Sequence, residues 1–488
     1  MLIPVRNKKG FAIVLLGLAV ALVLGCSAAR GSGAALDGEW VGTYAQSRFG
    51  AIAVPMVVRV AGRRADYSLP GGHSRGSVQL AVRGKRIAFT LPSRPAFAFS
   101  GTVAGRRITG TWRHGPVRGR FALNRRRATG SVGRQPLLGL YELTDGRAVA
   151  VHELTGIDAP FNGAKATVYD SGEFAALVPG GGSRFVVGAG IGVRAPERGV
   201  AQIDGKRIDW LGVPGTRVAL REEEVRFSSR GVSLAGTLTL PSGSGPFPAV
   251  AVVHGSGSTP RTYGQAFTQF FVRAGVAVLA YDKRGVAQSG GRWPGEAASP
   301  QNVDVYARDA EAAVRFLAAH PRVDAARVGL WGASQAGWII PVAATREPRV
   351  AFAVIGVGPV VTEGEQVAYS QHTTQGAQAP QSSPEEIERA MDAARTGFDP
   401  VPFIRQMRVP ALWVFGGLDQ HVPTPRSIRA LERIKAETGR DFTWQVFPNA
   451  PHSLLETGSG LLASNAAAPS LARGMLSAIR QWLDARGF

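Results

Sequence analysis

At 488 residues the chain is longer than one ordinary domain. Its 45% hydrophobic and 19% charged residues, with a mean hydropathy of +0.01, exclude both a disordered chain and a polytopic membrane protein. The net charge of +21 is concentrated at the front: residues 1–135 hold 22 Lys and Arg against 3 Asp and Glu, and the remaining 353 hold 34 against 32.

The first predicted element is a leader. Arg6, Lys8 and Lys9 precede an uncharged run at 11–24, which has the length of a signal-peptide core and is short for a membrane span. The run ends in Val23-Leu24-Gly25-Cys26-Ser27, which resembles the bacterial lipoprotein box, where the cysteine receives the lipid. Residues 1–26 are therefore expected to be a lipoprotein-type signal peptide, with Cys26 as the lipidation site. The mature chain is then exported and tethered to a bacterial membrane, on its periplasmic or extracellular face. An ordinary signal peptide or an uncleaved anchor is the competing reading. Cys26 is also the only cysteine, so the folded part has no internal disulfide.

Residues 28–33 read as a short flexible tether. From there to about 135, alternating runs such as 53–60, 86–91 and 108–112 are separated by Gly and basic turns, the pattern of antiparallel strands. Residues 27–135 are predicted to form a basic all-β module, a sandwich or barrel. In an exported protein such a surface fits an anionic envelope polymer or lipid rather than nucleic acid; arginines merely solvating strand faces are the alternative. A second β-rich segment, 136–221, has strands predicted near 147–153, 166–169, 174–178 and 201–203. The sequence leaves open whether it completes the first module.

From residue 222 onward the pattern changes. A strand pair near 225–228 and 233–240 leads into apolar runs at 249–253, 277–281, 328–331, 352–355, 411–415 and 443–447. Helical spacing fills gaps between them, at 303–318 and 427–437. Apolar strands alternating with helices predict an α/β, doubly wound, mostly parallel sheet, with ligands bound beyond the strands' carboxyl ends.

The candidate chemistry falls at those ends. Gly332-Ala333-Ser334-Gln335-Ala336-Gly337 follows the run at 328–331 and precedes a helical pattern. A serine on such a strand-to-helix turn is exposed by a strained backbone, and small residues two positions away let strand and helix pass. Ala336 stands where glycine is usual. His254-Gly255-Ser256-Gly257 ends the run at 249–253, and its glycine turn is expected to supply one oxyanion-hole amide, Ser256, with Gln335 as the other. His254 is read as support. Asp419, in Phe415-Gly416-Gly417-Leu418-Asp419-Gln420-His421, is the candidate acid that orients the base. His452, in Pro448-Asn449-Ala450-Pro451-His452, is the candidate base on a loop after the last strand. His421 competes for that role but lies too near Asp419 in sequence to reach both partners.

Together these residues resemble the α/β-hydrolase superfamily, and most closely the branch shared by bacterial esterases, dienelactone-hydrolase-like enzymes and prolyl-oligopeptidase-like peptidases. Leu234-Ala235-Gly236-Thr237-Leu238, the Val253–Gly257 stretch, Tyr281-Asp282-Lys283-Arg284-Gly285 with Ser289-Gly290, the Ser334 elbow, Asp419 and His452 carry the likeness over residues 222–488. The resemblance implies acyl hydrolysis through an acyl-enzyme, with Asp282-Lys283-Arg284 as a structural brace. A polar insertion at about 360–407, with a helix near 385–394, occupies the place of a lid but has few large apolar residues for an interfacial one; a surface excursion covering nothing is the alternative.

The leading expectation is a carboxylic-ester hydrolase acting on small or medium acyl groups. A peptidase or amidase would use the same three residues. A protein of another class, binding envelope polymers or lipids beside a vestigial hydrolase, is the third reading. No metal or cofactor is expected: there is no cysteine cluster, no histidine pair at helical spacing and no phosphate loop.

Overall fold

The computed structural model describes residues 36–46, 52–69, 74–91, 96–114, 117–125, 137–154, 163–192, 197–376, 382–465 and 467–488. Cys26 and the predicted signal peptide lie outside them.

Three β-structures follow one another. The first is an antiparallel sheet of nine strands between Gly38 and Arg125. Its two outermost strands, Ser74–Gln79 and Ala81–Arg83, are separated in sequence by Leu80 alone, so the sheet curls until its edges meet. Inside it, Trp40, Phe89, Phe99, Trp112 and Phe121 form a core of their own. Gly42 is there because a Cβ would lie 1.9 Å from the Ala122 carbonyl oxygen.

The second β-rich segment stands apart from the first. Its eight strands, from Gly139–Leu143 to Val213–Arg217, close into a barrel because those two pair with each other. One face of its strands fills the barrel with Tyr141, Val149, Phe185 and Trp210. The other face gives Leu140, Ala150, Tyr169 and Phe174 to a cluster shared with the third sheet. Apolar side chains on alternate faces of one strand are thus buried on both sides.

The third sheet has eight strands, in the spatial order Arg221–Ser229, Val232–Leu240, Ala277–Tyr281, Phe247–Val253, Val323–Ala333, Val350–Gly356, Ala411–Gly416, Phe442–Phe447. The pairings from Ala277–Tyr281 to Phe442–Phe447 are parallel, and the first two are antiparallel. Strand order reverses at Phe247–Val253, which creates the crevice where ligands bind in such sheets. The helix predicted at 303–318 begins earlier, at Pro300, because Ser299 accepts from the Asn302 amide and proline fits the first turn. The elbow strand, read as 328–331, extends over Val323–Ala333.

Candidate active site

Ser334 sits directly after strand Val323–Ala333 and just ahead of helix Ala336–Arg346, with φ at 59°. A non-glycine residue in that region is strained and persists only where its surroundings impose it. Two backbone bonds impose it here: Ser334 N donates to Gly356 O at 2.9 Å, and Gly337 N donates to Ser334 O at 2.8 Å. A Cβ at Gly332 would lie 2.5 Å from the Ala336 Cβ and 2.4 Å from Val253 O. Glycine at 332 alone makes room for the crossing, which is why alanine is accommodated at 336.

The three candidate residues meet. His452 Nε2 lies 3.0 Å from Ser334 Oγ, and His452 Nδ1 lies 2.8 Å from Asp419 Oδ2. The Asp419 side chain is fully buried, and its other oxygen accepts from the His421 and Val422 amides at 2.7 and 2.9 Å. A carboxylate held in place by two amides on one oxygen fixes the imidazole with a proton on Nδ1, leaving Nε2 to accept from the serine. His421 does not enter this line; its ring stacks on that of His452 at 4.6 Å.

The loops that carry acid and base are laid against each other. Gly417 N donates to Phe447 O and Leu418 N to Ala450 O, at 2.8 and 2.9 Å. A Cβ at Gly416 would lie 2.5 Å from Ala450 O, so the glycine pair ahead of Asp419 is a requirement of close backbone approach. The base loop is fastened again beyond His452. Ala472 N donates to Leu454 O, and the following segment is tied to the barrel through Phe174 N to Pro469 O, 2.7 Å, and Leu471 N to Gly172 O, 2.8 Å. The barrel is therefore a buttress of the site.

The polar insertion has a role that its sequence did not disclose. Helix Glu363–His372 grips the acid loop through carbonyl oxygens: Tyr369 Oη donates to Asp419 O at 2.6 Å, Ser370 Oγ and Gln366 Nε2 donate to His421 O, and Thr373 Oγ1 donates to Gln420 O. The second helix, predicted near 385–394, is Pro384–Ala393 and starts with a Ser383–Glu386 capping box.

The glycine turn after strand Phe247–Val253 lies against the elbow. A Cβ at Gly255 would be 3.1 Å from Ala333 O and 3.5 Å from Ser334 Cβ. Among the described residues, neither Ser256 N nor Gln335 N is bonded to a backbone carbonyl. His254 is buried, its pKa is depressed to about 4 by that burial, and its Nε2–H is bonded to Tyr281 O. A neutral imidazole bonded through Nε2 to the neighbouring strand is a support.

Of the Asp282-Lys283-Arg284 turn, Asp282 accepts from the Arg261 and Gln288 amides, and Arg284 is paired with the buried Asp309. Lys283 reaches the site itself. Its buried ammonium donates to Gly255 O at 2.7 Å, Gly257 O at 3.2 Å and Gln335 Oε1 at 3.1 Å, over the ring of Tyr306. It thus holds both segments that carry the candidate oxyanion amides. Burial lowers its pKa to about 8.

Residues 250–467 match the prolyl oligopeptidase family. Among curated proteins, esterase EstD of Thermotoga maritima is 28% identical over 39% of this chain and 50% of its own length. The quorum-quenching protein AidA of Acinetobacter baumannii is 30% identical over 27% of this chain and 42% of its length. The chain spans half or less of the curated relatives it matches. Among solved structures, an acylaminoacyl peptidase of Pyrococcus horikoshii aligns over 88% of this chain and 79% of its own, with 12% identity and a TM-score of 0.43. The Pyrococcus furiosus esterase Pf2001 aligns over 55% and 91%, with 16% identity and a TM-score of 0.40.

Proposed function

Residues 250–467 form a prolyl oligopeptidase family domain of the α/β-hydrolase fold, and from that premise we propose that this serine hydrolase cleaves carboxylic esters of small or medium acyl groups, with Ser334 as nucleophile. The observation that carries the reading is the continuous line from Ser334 Oγ through the His452 ring to Asp419, at 3.0 and 2.8 Å. His452 Nε2 takes the proton as Ser334 Oγ attacks the acyl carbon. Asp419 stabilises the imidazolium that forms. The oxyanion gathers against the amides of Ser256 and Gln335, at the positive end of helix Ala336–Arg346. His452 then protonates the departing alkoxide, leaving an acyl group on Ser334. Water, activated by the same imidazole, releases the acid.

A fluorophosphonate probe tests the nucleophile: it is expected to modify Ser334, and neither label nor ester turnover is expected in Ser334→Ala. Folded protein left unlabelled would sink the reading. The family match favours a second reading, cleavage of peptide or aminoacyl amides by the same residues. Comparing kcat/KM for aryl short-chain esters with that for peptide amides separates the two, and a higher value for the amides selects the peptidase. Cys26 is proposed as the lipid-bearing residue of an envelope-anchored protein; incorporation of labelled fatty acid into the chain, lost in Cys26→Ser, is the expected result.

A further inference from the structure

The nine-stranded sheet contains one hairpin motif three times. Val60-Ala61-Gly62-Arg63-Arg64, Val82-Arg83-Gly84-Lys85-Arg86 and Val103-Ala104-Gly105-Arg106-Arg107 share the pattern Val-x-Gly-basic-Arg. The three glycines turn alike, with φ of 63°, 55° and 58°. In each case the carbonyl of the next residue accepts from an adjoining segment: Arg63 O from Leu80 N at 2.7 Å, Lys85 O from Val103 N at 2.8 Å, and Arg106 O from Arg125 N at 2.7 Å. These are three copies of one backbone device, each lifting a pair of cations off the end of a strand.

Register places all three at the same end of the sheet. Gly38 lies opposite Val60, Trp40 opposite Arg125, Arg64 opposite Gln79, Arg86 opposite Thr102 and Arg107 opposite Asn124. Because the sheet curls, the tips are set around one rim. Arg63, Arg83, Lys85, Arg86 and Arg107 are exposed there, and none makes a side-chain hydrogen bond or ion pair among the described residues. The acids at this end are already engaged: Asp37 with the Gly62 amide, Glu39 with Arg59, and Asp66 with Arg64. Like charges gathered on rigid turns without counter-charges repel one another in the free protein and favour an external polyanion.

Which polyanion follows from where the chain comes in. The first strand starts at this rim, at Gly38, and Asp37 is pinned to the first tip, its Oδ1 accepting from Gly62 N at 2.6 Å. Cys26 lies twelve residues earlier in the sequence, so the connecting stretch spans at most about 40 Å when extended. We propose that the rim is a docking surface for anionic lipid headgroups, holding the nine-stranded sheet against the membrane with its tips facing the lipid. Each basic residue near such a surface contributes about fivefold to partitioning. A polybasic patch beside a lipid anchor adds its own attraction to anionic headgroups and sets which face meets the membrane. The choice of lipid as occupant rests on the anchor proposed at Cys26 and is independent of the hydrolase chemistry.

The test uses residues 27–488, so that neither a lipid on Cys26 nor the apolar run at 11–24 contributes, and vesicles of phosphatidylcholine with or without about half phosphatidylglycerol. The parent is expected to bind the anionic vesicles alone, and to be released at about 0.5 M salt. Removing four tip charges (R63Q, K85Q, R86Q, R107Q) is expected to cut partitioning at least about a hundredfold. Removing four from the opposite end (R75Q, R113Q, R118Q, R120Q) is expected to cut it less than about tenfold. Hydrolysis of a soluble ester and the near-ultraviolet dichroism of Trp40 and Trp112 should be unchanged in both. Equal losses in the two variants would reduce the effect to net charge and overturn the proposal. So would binding to neutral vesicles, or rim-dependent binding to a soluble acidic polysaccharide with none to lipid. Single R63Q and R107Q variants, each expected to lose about fivefold, carry the test if the quadruple variant misfolds.

Discussion

The barrel and the nine-stranded sheet are both antiparallel and both precede the hydrolase sheet, yet they are joined to it in different ways. The barrel's outer face shares a core with the hydrolase strands, through Tyr169 and Phe174 against Phe270, Leu471 and Leu476. Its backbone is bonded to the segment that follows the base loop. The buried residues of the nine-stranded sheet, from Trp40 to Leu123, form an apolar cluster of their own, although its strand Ile52–Ala61 lies beside the short helix Leu462–Asn465. A module that shares its core with a site can set the geometry of that site. A module with a private core can present its surface elsewhere without disturbing the chemistry.

The largest effect expected on the buttressed side is on turnover. Asp419→Asn leaves the packing intact but favours the wrong tautomer of His452, and kcat should fall by about 10⁴. A loss below about tenfold would remove Asp419 from the mechanism. Next come two core truncations of similar cost. Phe174→Ala and Phe99→Ala each remove a buried ring and should each destabilise by about 3–5 kcal/mol. Phe174→Ala should also lower kcat, because Phe174 lies where the barrel holds the Pro469 carbonyl. Phe99→Ala should leave kcat unchanged. Calorimetry beside steady-state kinetics checks both, and equal loss of turnover in the two would erase the distinction between the modules. A smaller effect is expected in the insertion. Tyr369→Phe deletes one neutral hydrogen bond to the Asp419 carbonyl, worth about 1 kcal/mol, and should reduce kcat about fivefold with little change in KM.

What was legible in the sequence, and what was not, divides along the same physical line. Ser334, Asp419 and His452 could be read because each follows an apolar strand run and because serine on a small-residue turn is a local pattern. The close approach of the glycine pair at 416 and 417 to the backbone at 448–451 was not legible, because that partner lies about thirty residues further along the chain. Closure of the barrel depends on strand Gly139–Leu143 pairing with Val213–Arg217, a long-range contact without local signature. The grip of helix Glu363–His372 was illegible because it acts on main-chain carbonyls, which every residue has. The Val-x-Gly-basic-Arg recurrence stood in the sequence throughout. Only strand register shows that its three copies share one rim.

Lys283 offers the finest test of how the barrel-supported half works, because there activity and stability should respond to pH with opposite signs. An ammonium has three protons, and Lys283 uses them on Gly255 O, Gly257 O and Gln335 Oε1. Deprotonation leaves two protons for three acceptors and turns a lone pair toward an oxygen. One segment beside the oxyanion must then loosen. With the pKa lowered to about 8, kcat should decline several-fold as pH rises through that value. The folded pKa lies below the unfolded one, near 10.5, so the unfolded chain binds more protons between the two. This group's contribution to stability therefore improves from about pH 8 to about 10.5, the reverse of ordinary alkaline denaturation. Lys283→Met should remove both trends: a lower kcat without that alkaline limb, and a denaturation midpoint that loses ground to the wild type's as pH rises from about 8 to about 10.5. Lys283→Arg, charged throughout, should keep a flat kcat across the same range. If wild type and Lys283→Met share one alkaline limb, the titrating group lies elsewhere and the lysine only packs the turn.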